Sequence, residues 1–151
     1  MDAAYLRKYR LLEGMSDEML TVFSRYLTRR RFSKDSLIFV EKMNGESLFL
    51  IESGRISLTK MVAEGVQKHL AQLGPGDSFG ELAVIDGGSR VVTARAVQDA
   101  EILVLSREEF ARLSRERPDT ALAFVVSLFV HIAALVRQNV PLMAQSLREK
   151  P

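Results

Sequence analysis

Residues 74–94 contain the side chains whose types and spacing suggest binding chemistry most clearly. Gly80 permits close approach of the backbone, and the amides of the three residues after it could begin a helical turn, which is where anions bind. Arg90 follows ten residues after Gly80, and a guanidinium forms bidentate hydrogen bonds with phosphate oxygens. Glu81 supplies an acceptor for a sugar hydroxyl. One phosphate group, one hydroxyl and a small apolar pocket together predict a site for a nucleotide monophosphate.

The sequence gives little support to catalysis or to a metal centre. It contains no Ser-His-Asp pattern, no P-loop of the Gly-x4-Gly-Lys type and no cysteine nucleophile. His69 and His131 are far apart and have no metal-ligand partners at useful spacing. We therefore predict a protein that is not an enzyme and that has no metal and no cofactor.

The elements that must position the candidate site fall into three zones of one domain, 1–151. Residues 1–31 carry apolar side chains at three- and four-residue steps, which predicts an N-terminal helical segment. Residues 32–106 show short apolar runs separated by turn signals rich in glycine, a pattern typical of a β-sandwich or barrel. Residues 107–151 return to a helical pattern.

Local signals predict where the helices begin and end. Ser16 is suited to be a helix N-cap, and the run Arg29-Arg30-Arg31 is expected at the end of the N-terminal helical segment. Pro118 is suited to begin the last helix, whereas Pro141 is expected to end or kink it.

Composition narrows the class of protein. The chain has 21 Lys plus Arg against 19 Asp plus Glu, a net charge of +2 that does not require a nucleic-acid partner. With 47% hydrophobic residues it can bury a core, and without cysteine it has no disulfide and no thiolate metal site. The first ten residues contain no apolar segment of a signal peptide. We expect a cytoplasmic protein.

The segment Phe79-Gly80-Glu81-Leu82-Ala83, followed by Arg90 and then Thr93-Ala94, resembles the phosphate-binding cassette of the cyclic-nucleotide-binding domain family. That family includes the catabolite activator protein and the regulatory subunits of cAMP-dependent kinase. The resemblance extends over roughly residues 8–140. It implies a mainly β fold, an antiparallel jelly-roll-like β-barrel with N-terminal helices and a long C-terminal helix, in which the cassette spans 79–94.

The resemblance also implies a role for individual residues. Arg90 would bind the exocyclic phosphate oxygens, and Glu81 would accept a hydrogen bond from the ribose 2′-hydroxyl. The implied ligand-binding set is Phe79, Gly80, Glu81, Leu82, Ala83, Arg90, Val91 and Val92. Val91 has no hydroxyl to meet a guanine amino group, so cAMP is expected as the ligand and cGMP is less favoured. His131 and Arg137 are candidate lid residues over the base.

The last helix is apolar on more than one face. The segment 121–136 has sixteen residues, of which one is Ser and one is His. A membrane span needs roughly 20 apolar residues, so no span is predicted. One apolar stripe can cover the barrel, and the other needs a second partner. We therefore expect a homodimer, as in relatives such as the catabolite activator protein, and the main alternative is another domain of a longer parent chain. The expected dimer residues are Leu122, Val125, Leu128, Phe129, Ile132 and Val136.

The function predicted from these features is that of a cytoplasmic cyclic-nucleotide sensor whose output is a ligand-induced movement of the C-terminal helix. The alternative is the sensory half of a transcription regulator of the catabolite-activator type, with a different ligand or none. Residues 142–151 are too few to contain a helix-turn-helix, so no DNA-binding domain is expected in this chain.

Overall fold

The computed structural model of the protein describes residues 3–148. In this range the chain begins with two 3₁₀ turns, Ala4–Lys8 and Arg10–Leu12. The α-helices are α1 (Asp17–Ser24), α2 (Glu81–Asp86), α3 (Arg107–Glu116) and α4 (Pro118–Arg148). The strands are β1 (Thr28–Phe32), β2 (Leu37–Phe39), β3 (Ser47–Ser53), β4 (Ile56–Ala63), β5 (Val66–Leu73), β6 (Ser78–Phe79), β7 (Thr93–Ala96) and β8 (Ala100–Ser106).

The strands form two four-stranded antiparallel sheets, with strand orders β1-β8-β3-β6 and β2-β7-β4-β5. Strand β3 lies between two layers of apolar side chains because successive residues of a strand point to opposite faces. Phe49 and Ile51 belong to the core that the two sheets share, whereas Leu48 and Leu50 belong to the core that the helices cover. The predicted fold, antiparallel β-sheets with flanking helices and a long C-terminal helix, is confirmed.

The N-terminal 3₁₀ turns fix the position of α4. The Ser127 hydroxyl on α4 donates a hydrogen bond to the Leu11 carbonyl at 2.6 Å and accepts one from the Gly14 amide at 3.1 Å. Tyr9 is fully buried and donates to the Ile51 carbonyl of β3 at 3.1 Å. The first half of α4 is thereby tied to the same turns that rest on the sheet.

Two serines and a proline set the starts of the helices. Ser16 accepts a hydrogen bond from the Met19 amide, as predicted, and Ser106 caps α3 in the same way through the Glu109 amide. Each such cap typically stabilises a helix by about 1 kcal/mol. Pro118 is the first residue of α4, also as predicted, because its missing N–H costs nothing at that position.

One local prediction is wrong, and one of the two outcomes predicted for Pro141, the end of the helix, is not found. Arg29, Arg30 and Arg31 lie in strand β1 and not at the end of a helix, because β1 pairs with β8 and Glu101 on β8 forms ion pairs with Arg29 and Arg31. Pro141 does not end α4, which continues to Arg148. Residues 134–148 are exposed, so water can hydrate the carbonyl that Pro141 leaves without its helical partner.

Candidate ligand-binding site

A cavity of about 600 Å³ lies between the segment 79–92 and helix α4, within the 300–1,000 Å³ range of small-molecule sites. All eight residues of the predicted binding set line it. The lining residues are Arg10, Leu11, Phe39, Leu58, Leu73, Gly76, Asp77, Ser78, Phe79, Gly80, Glu81, Leu82, Ala83, Ser89, Arg90, Val91, Val92, His131, Leu135 and Asn139. The predicted set therefore accounts for part of the lining, whereas Ser89, the residues 76–78 and the apolar side chains from the second sheet were not predicted.

Gly80 makes the turn from β6 into α2. Its φ of +76° is a left-handed conformation that favours glycine. A Cβ atom at Gly80 would lie 2.7 Å from Arg90 Nη1 and 3.0 Å from the Ser47 carbonyl oxygen. The glycine is therefore required both by the backbone and by the guanidinium that lies against it, and α2 begins directly after it at Glu81.

Arg90 is held against this turn and is only 7% exposed. Its Nη1 donates to the Gly80 carbonyl at 3.2 Å, and its Nη2 donates to the Ser47 carbonyl at 2.9 Å. The Nε atom is buried and has no hydrogen-bond partner among the described residues. The guanidinium carbon lies 4.2 Å from the centre of the Phe39 ring, a cation–π contact. Arg90 is thus a fixed cation with donor capacity left over.

Burial lowers the pKa of Arg90, and the negative charge of Glu81 partly offsets that effect. An arginine stays protonated despite such a shift because its ordinary pKa is far above neutrality. A buried, incompletely paired guanidinium favours an anion in the cavity, since an unpaired buried charge is costly.

Glu81 faces the cavity from the first turn of α2, with 18% of its side chain exposed. Its Oε1 accepts a hydrogen bond from the Ser78 hydroxyl at 3.0 Å. His131 Nε2 on α4 lies 3.9 Å from the same Oε1 atom. The remaining acceptor capacity of the carboxylate is available to a hydroxyl group in the cavity.

Helix α4 supplies one wall of the cavity through His131, Leu135 and Asn139. These residues are four positions apart and therefore lie on one helical face. Of the two candidate lid residues, His131 lines the cavity, whereas Arg137 is exposed and does not. Asn139 was not predicted, although its spacing of eight residues from His131 places it on the cavity face.

The loop after Arg90 is braced by a cluster that sequence reasoning did not identify. Lys60 donates to the Val91 carbonyl at 3.1 Å and to Glu41 Oε2 at 3.0 Å. The Met61 amide donates to the other Glu41 oxygen, and the Glu41 amide donates to the Thr93 hydroxyl. The hydrogen bond from Met61, and secondarily Lys60, lower the pKa of Glu41. Glu41 and Lys60 therefore position the loop without lining the cavity.

The expected dimer residues divide between two environments. Leu122, Val125, Phe129 and Val136 are exposed, with 72% of Phe129 accessible. Leu128 is only 3% exposed and packs in the helical core near Phe124, so its assignment to an outer dimer face is wrong. Ile132 is half-buried against the same core. The 100° step of the helix turns Leu128 inward when Phe129 points outward.

Among the described residues, α4 is a helix long and apolar enough to cross a membrane by length and composition alone. The helix has 31 residues and contains the apolar segment 121–136, but one such helix is only weak evidence for a membrane span. Its inner face packs on the core through residues such as Phe124 and Leu128. In residues 3–148 no cluster of three or more His, Cys, Asp or Glu residues could hold a metal ion.

Comparison with known proteins identifies the family of the chain. The family model of the cyclic nucleotide-binding domain matches residues 29–117 of this chain. The chain is 36% identical over 108 residues to the Cyclic AMP receptor protein of Thermus thermophilus, a match that covers 72% of this chain and 50% of the receptor. The chain thus spans about half the length of this curated relative.

Two solved structures have a fold similar to that of this chain. The catabolite activator protein of Thermus thermophilus has a TM-score of 0.76 and 30% identity, over 89% of this chain and 63% of that one. The regulatory domain of Toxoplasma gondii PKA, crystallised with cAMP, has a TM-score of 0.65 and 25% identity, over 72% of this chain and 41% of that one. With the family match over more than half of its length, the chain belongs to the cyclic-nucleotide-binding domain family.

Proposed function

We propose that this domain is a cAMP sensor and that the cyclic phosphate binds to Arg90. The observation that carries the proposal is a buried arginine whose Nε has no partner in the described part of the chain, at the wall of a cavity of about 600 Å³. Glu81 lies in the same wall and is the proposed acceptor for the ribose 2′-hydroxyl. A cation and an acceptor beside apolar walls match a nucleotide with one negative charge.

The preference for cAMP over cGMP rests on Val91. Its side chain lines the cavity and is 60% exposed, and it offers no hydroxyl to a guanine amino group. A guanine amino group left without an acceptor would lose its hydrogen bond with water on binding. The Toxoplasma domain crystallised with cAMP supports the same choice.

The proposed output is a movement of α4. This helix contributes His131, Leu135 and Asn139 to the cavity wall, so a ligand in the cavity contacts it directly. The same helix presents Leu122, Phe129 and Val136 outward as an apolar face. We propose that this face binds the equivalent helix of a second copy, in a two-fold homodimer. We place the protein in the cytoplasm and assign it no catalytic activity.

A second candidate function is the sensory part of a DNA-binding transcription regulator. It is favoured by the similarity to the Cyclic AMP receptor protein, of which this chain matches 50%. In that case the regulator's other activities would require residues beyond those matched here, and the ligand could differ.

The site is tested by thermal melts with cAMP, cGMP and linear AMP. Ligand at a hundred times its Kd stabilises a protein by about 2.7 kcal/mol, which for a domain of this size is about 5 to 10 °C in Tm. We expect this shift with cAMP and a smaller one with cGMP. Arg90→Lys, which keeps the charge but loses the planar fork, should abolish most of it. Arg95→Lys on β7 is the matched control, because Arg95 is exposed and lies outside the cavity wall.

No shift with any nucleotide would refute the proposed ligand, and an unchanged shift in Arg90→Lys would refute the phosphate assignment. The dimer is tested by light scattering. We expect twice the mass of one chain for the wild type and a single chain for Phe129→Glu. A wild-type monomer at high concentration would refute the dimer.

A further inference from the structure

Arg10 is a second cation of the cavity wall, and its surroundings differ from those of Arg90. It lies on the second 3₁₀ turn and lines the cavity. Arg10 is exposed, whereas Arg90 is only 7% exposed. Within residues 3–148 the Arg10 guanidinium has neither a hydrogen-bond acceptor nor an ion-pair partner. An exposed residue that lines a cavity lies at its opening, so Arg10 presents a free positive charge where a ligand must enter.

The backbone on both sides of Arg10 is anchored to other elements of the fold. Tyr9, the residue before it, is fully buried and donates a hydrogen bond to the Ile51 carbonyl of β3 at 3.1 Å. Leu11, the residue after it, is also buried, and its carbonyl accepts a hydrogen bond from the Ser127 hydroxyl of α4 at 2.6 Å. The neighbours of Arg10 therefore keep its positive charge at the opening of the cavity.

The other arginine and the two acidic residues of the cavity wall are placed differently. Arg90 is buried, and Glu81 has 18% of its side chain exposed. Asp77 is exposed like Arg10, but it is negative, and its Oδ2 accepts a hydrogen bond from the Gly74 amide at 2.9 Å. A charge at the rim of a binding site changes mainly the rate at which a charged ligand associates. Of the arginine and acidic side chains that line the cavity, Arg10 is therefore the one placed to attract an anion that is still in solvent.

We propose that Arg10 guides the anionic nucleotide into the cavity by electrostatic attraction, so that it raises the rate constant of association and leaves that of dissociation unchanged. This inference rests on the proposed function, since it requires an anion as the ligand. A unit charge and a monoanion about 7 Å apart in water attract each other enough to change a rate about two- to threefold. Salt weakens the attraction, because the Debye length falls from about 30 Å at 0.01 M ionic strength to about 3 Å at 1 M.

The experiment is stopped-flow mixing with a cAMP analogue that carries an uncharged fluorophore on its base, at low and at high ionic strength. At about 0.01 M, Arg10→Gln should lower the association rate constant about two- to threefold, and Arg10→Glu about four- to ninefold. Both effects should nearly vanish at about 1 M. Arg10→Lys should keep the wild-type value, because the charge and not the planar fork acts here. Arg25→Gln is the matched control: Arg25 is exposed at the end of α1 and lies outside the cavity wall, so this variant should associate like the wild type.

The dissociation rate constant should be the same in all of these variants, and calorimetric titration with unlabelled cAMP should give Kd values that change only by the association factor. A faster dissociation in Arg10→Gln, or an Arg10→Lys variant that associates as slowly as Arg10→Gln, would show a direct contact with the bound nucleotide and overturn the proposal. Equal slowing in Arg25→Gln would also overturn it, because the net charge of the protein and not the position of Arg10 would then set the rate. These outcomes leave the proposed function intact, whereas absence of cAMP binding by the wild type would overturn both.

Discussion

The substitution Gly45→Ala tests whether the position of Arg90 is set by the backbone around it. Gly45 is buried, and its amide donates to the Gly88 carbonyl at 2.9 Å. A Cβ atom added at Gly45 would lie 2.5 Å from Ala83 Cβ and 2.5 Å from Arg90 Nε. Real contacts of a Cβ atom essentially never fall below 3.0 Å. Either α2, which carries Ala83, or the Arg90 side chain must therefore move.

The cost of that movement has two parts. Inserting a methyl group into a well-packed site typically destabilises a protein by about 1–3 kcal/mol. Displacement of the guanidinium also weakens its hydrogen bonds to the Gly80 and Ser47 carbonyls. Hydrogen bonds to a charged group are worth about 1.5–3 kcal/mol, so the loss of one such bond to the phosphate would weaken cAMP binding roughly tenfold or more.

Urea denaturation measures the loss of stability, and calorimetric titration with cAMP measures the loss of affinity. Gly74→Ala is the matched control, because a Cβ atom there would meet only Arg55 Nη1 at 3.4 Å, an ordinary van der Waals contact. If Gly45→Ala binds cAMP as tightly as Gly74→Ala and unfolds at the same urea concentration, Arg90 is not confined as the structure indicates.

Two further substitutions probe the core and the loop brace. Leu128→Ala should lower the free energy of unfolding by about 2–5 kcal/mol because Leu128 is 3% exposed in the helical core, and a urea midpoint equal to that of the wild type would contradict this. Glu41 has a lowered pKa in the fold, so its contribution to stability is present above the ordinary carboxyl range and is lost as the pH falls. The Tm of Glu41→Gln should therefore fall less steeply than that of the wild type between about pH 6 and pH 3. An equal fall in the two proteins would argue against a stabilising role of Glu41 in the loop after Arg90.

The cassette could be predicted from the sequence because its signals are local. A glycine before a short helix and an arginine ten residues later are close in the chain, so a short loop can bring them together. The second sheet lines the cavity with Phe39, Leu58 and Leu73, and no local sequence motif marks these residues. Apolar strand residues are alike in sequence, and only the register of the strands decides which of them face a cavity.

Strand β1 and the inner face of α4 also depend on tertiary contacts that local sequence patterns do not reveal. The run Arg29-Arg30-Arg31 follows a helical segment and has no β-branched residue, yet pairing with β8 and with Glu101 makes it a strand. In α4 the sequence shows two apolar stripes but not which one meets the core. That choice depends on tertiary contacts such as those of Phe23 with Phe124, whose ring centres are 4.9 Å apart.

The distribution of contacts along α4 indicates where the helix can move. Five residues between Thr120 and Leu128 are buried, and Ser127 is hydrogen-bonded to the N-terminal turns. Residues 134–148 are exposed, so no core contact of the described chain resists their displacement. An isolated helical end of that length is marginally stable in water.

We therefore expect slow amide hydrogen exchange in α4 before residue 128 and fast exchange after residue 134. We also expect cAMP to slow the exchange around His131 and Asn139, because both residues line the cavity. Equal exchange along the whole helix, or a ligand effect confined to the cassette, would show that α4 is not the moving element of the proposed sensor.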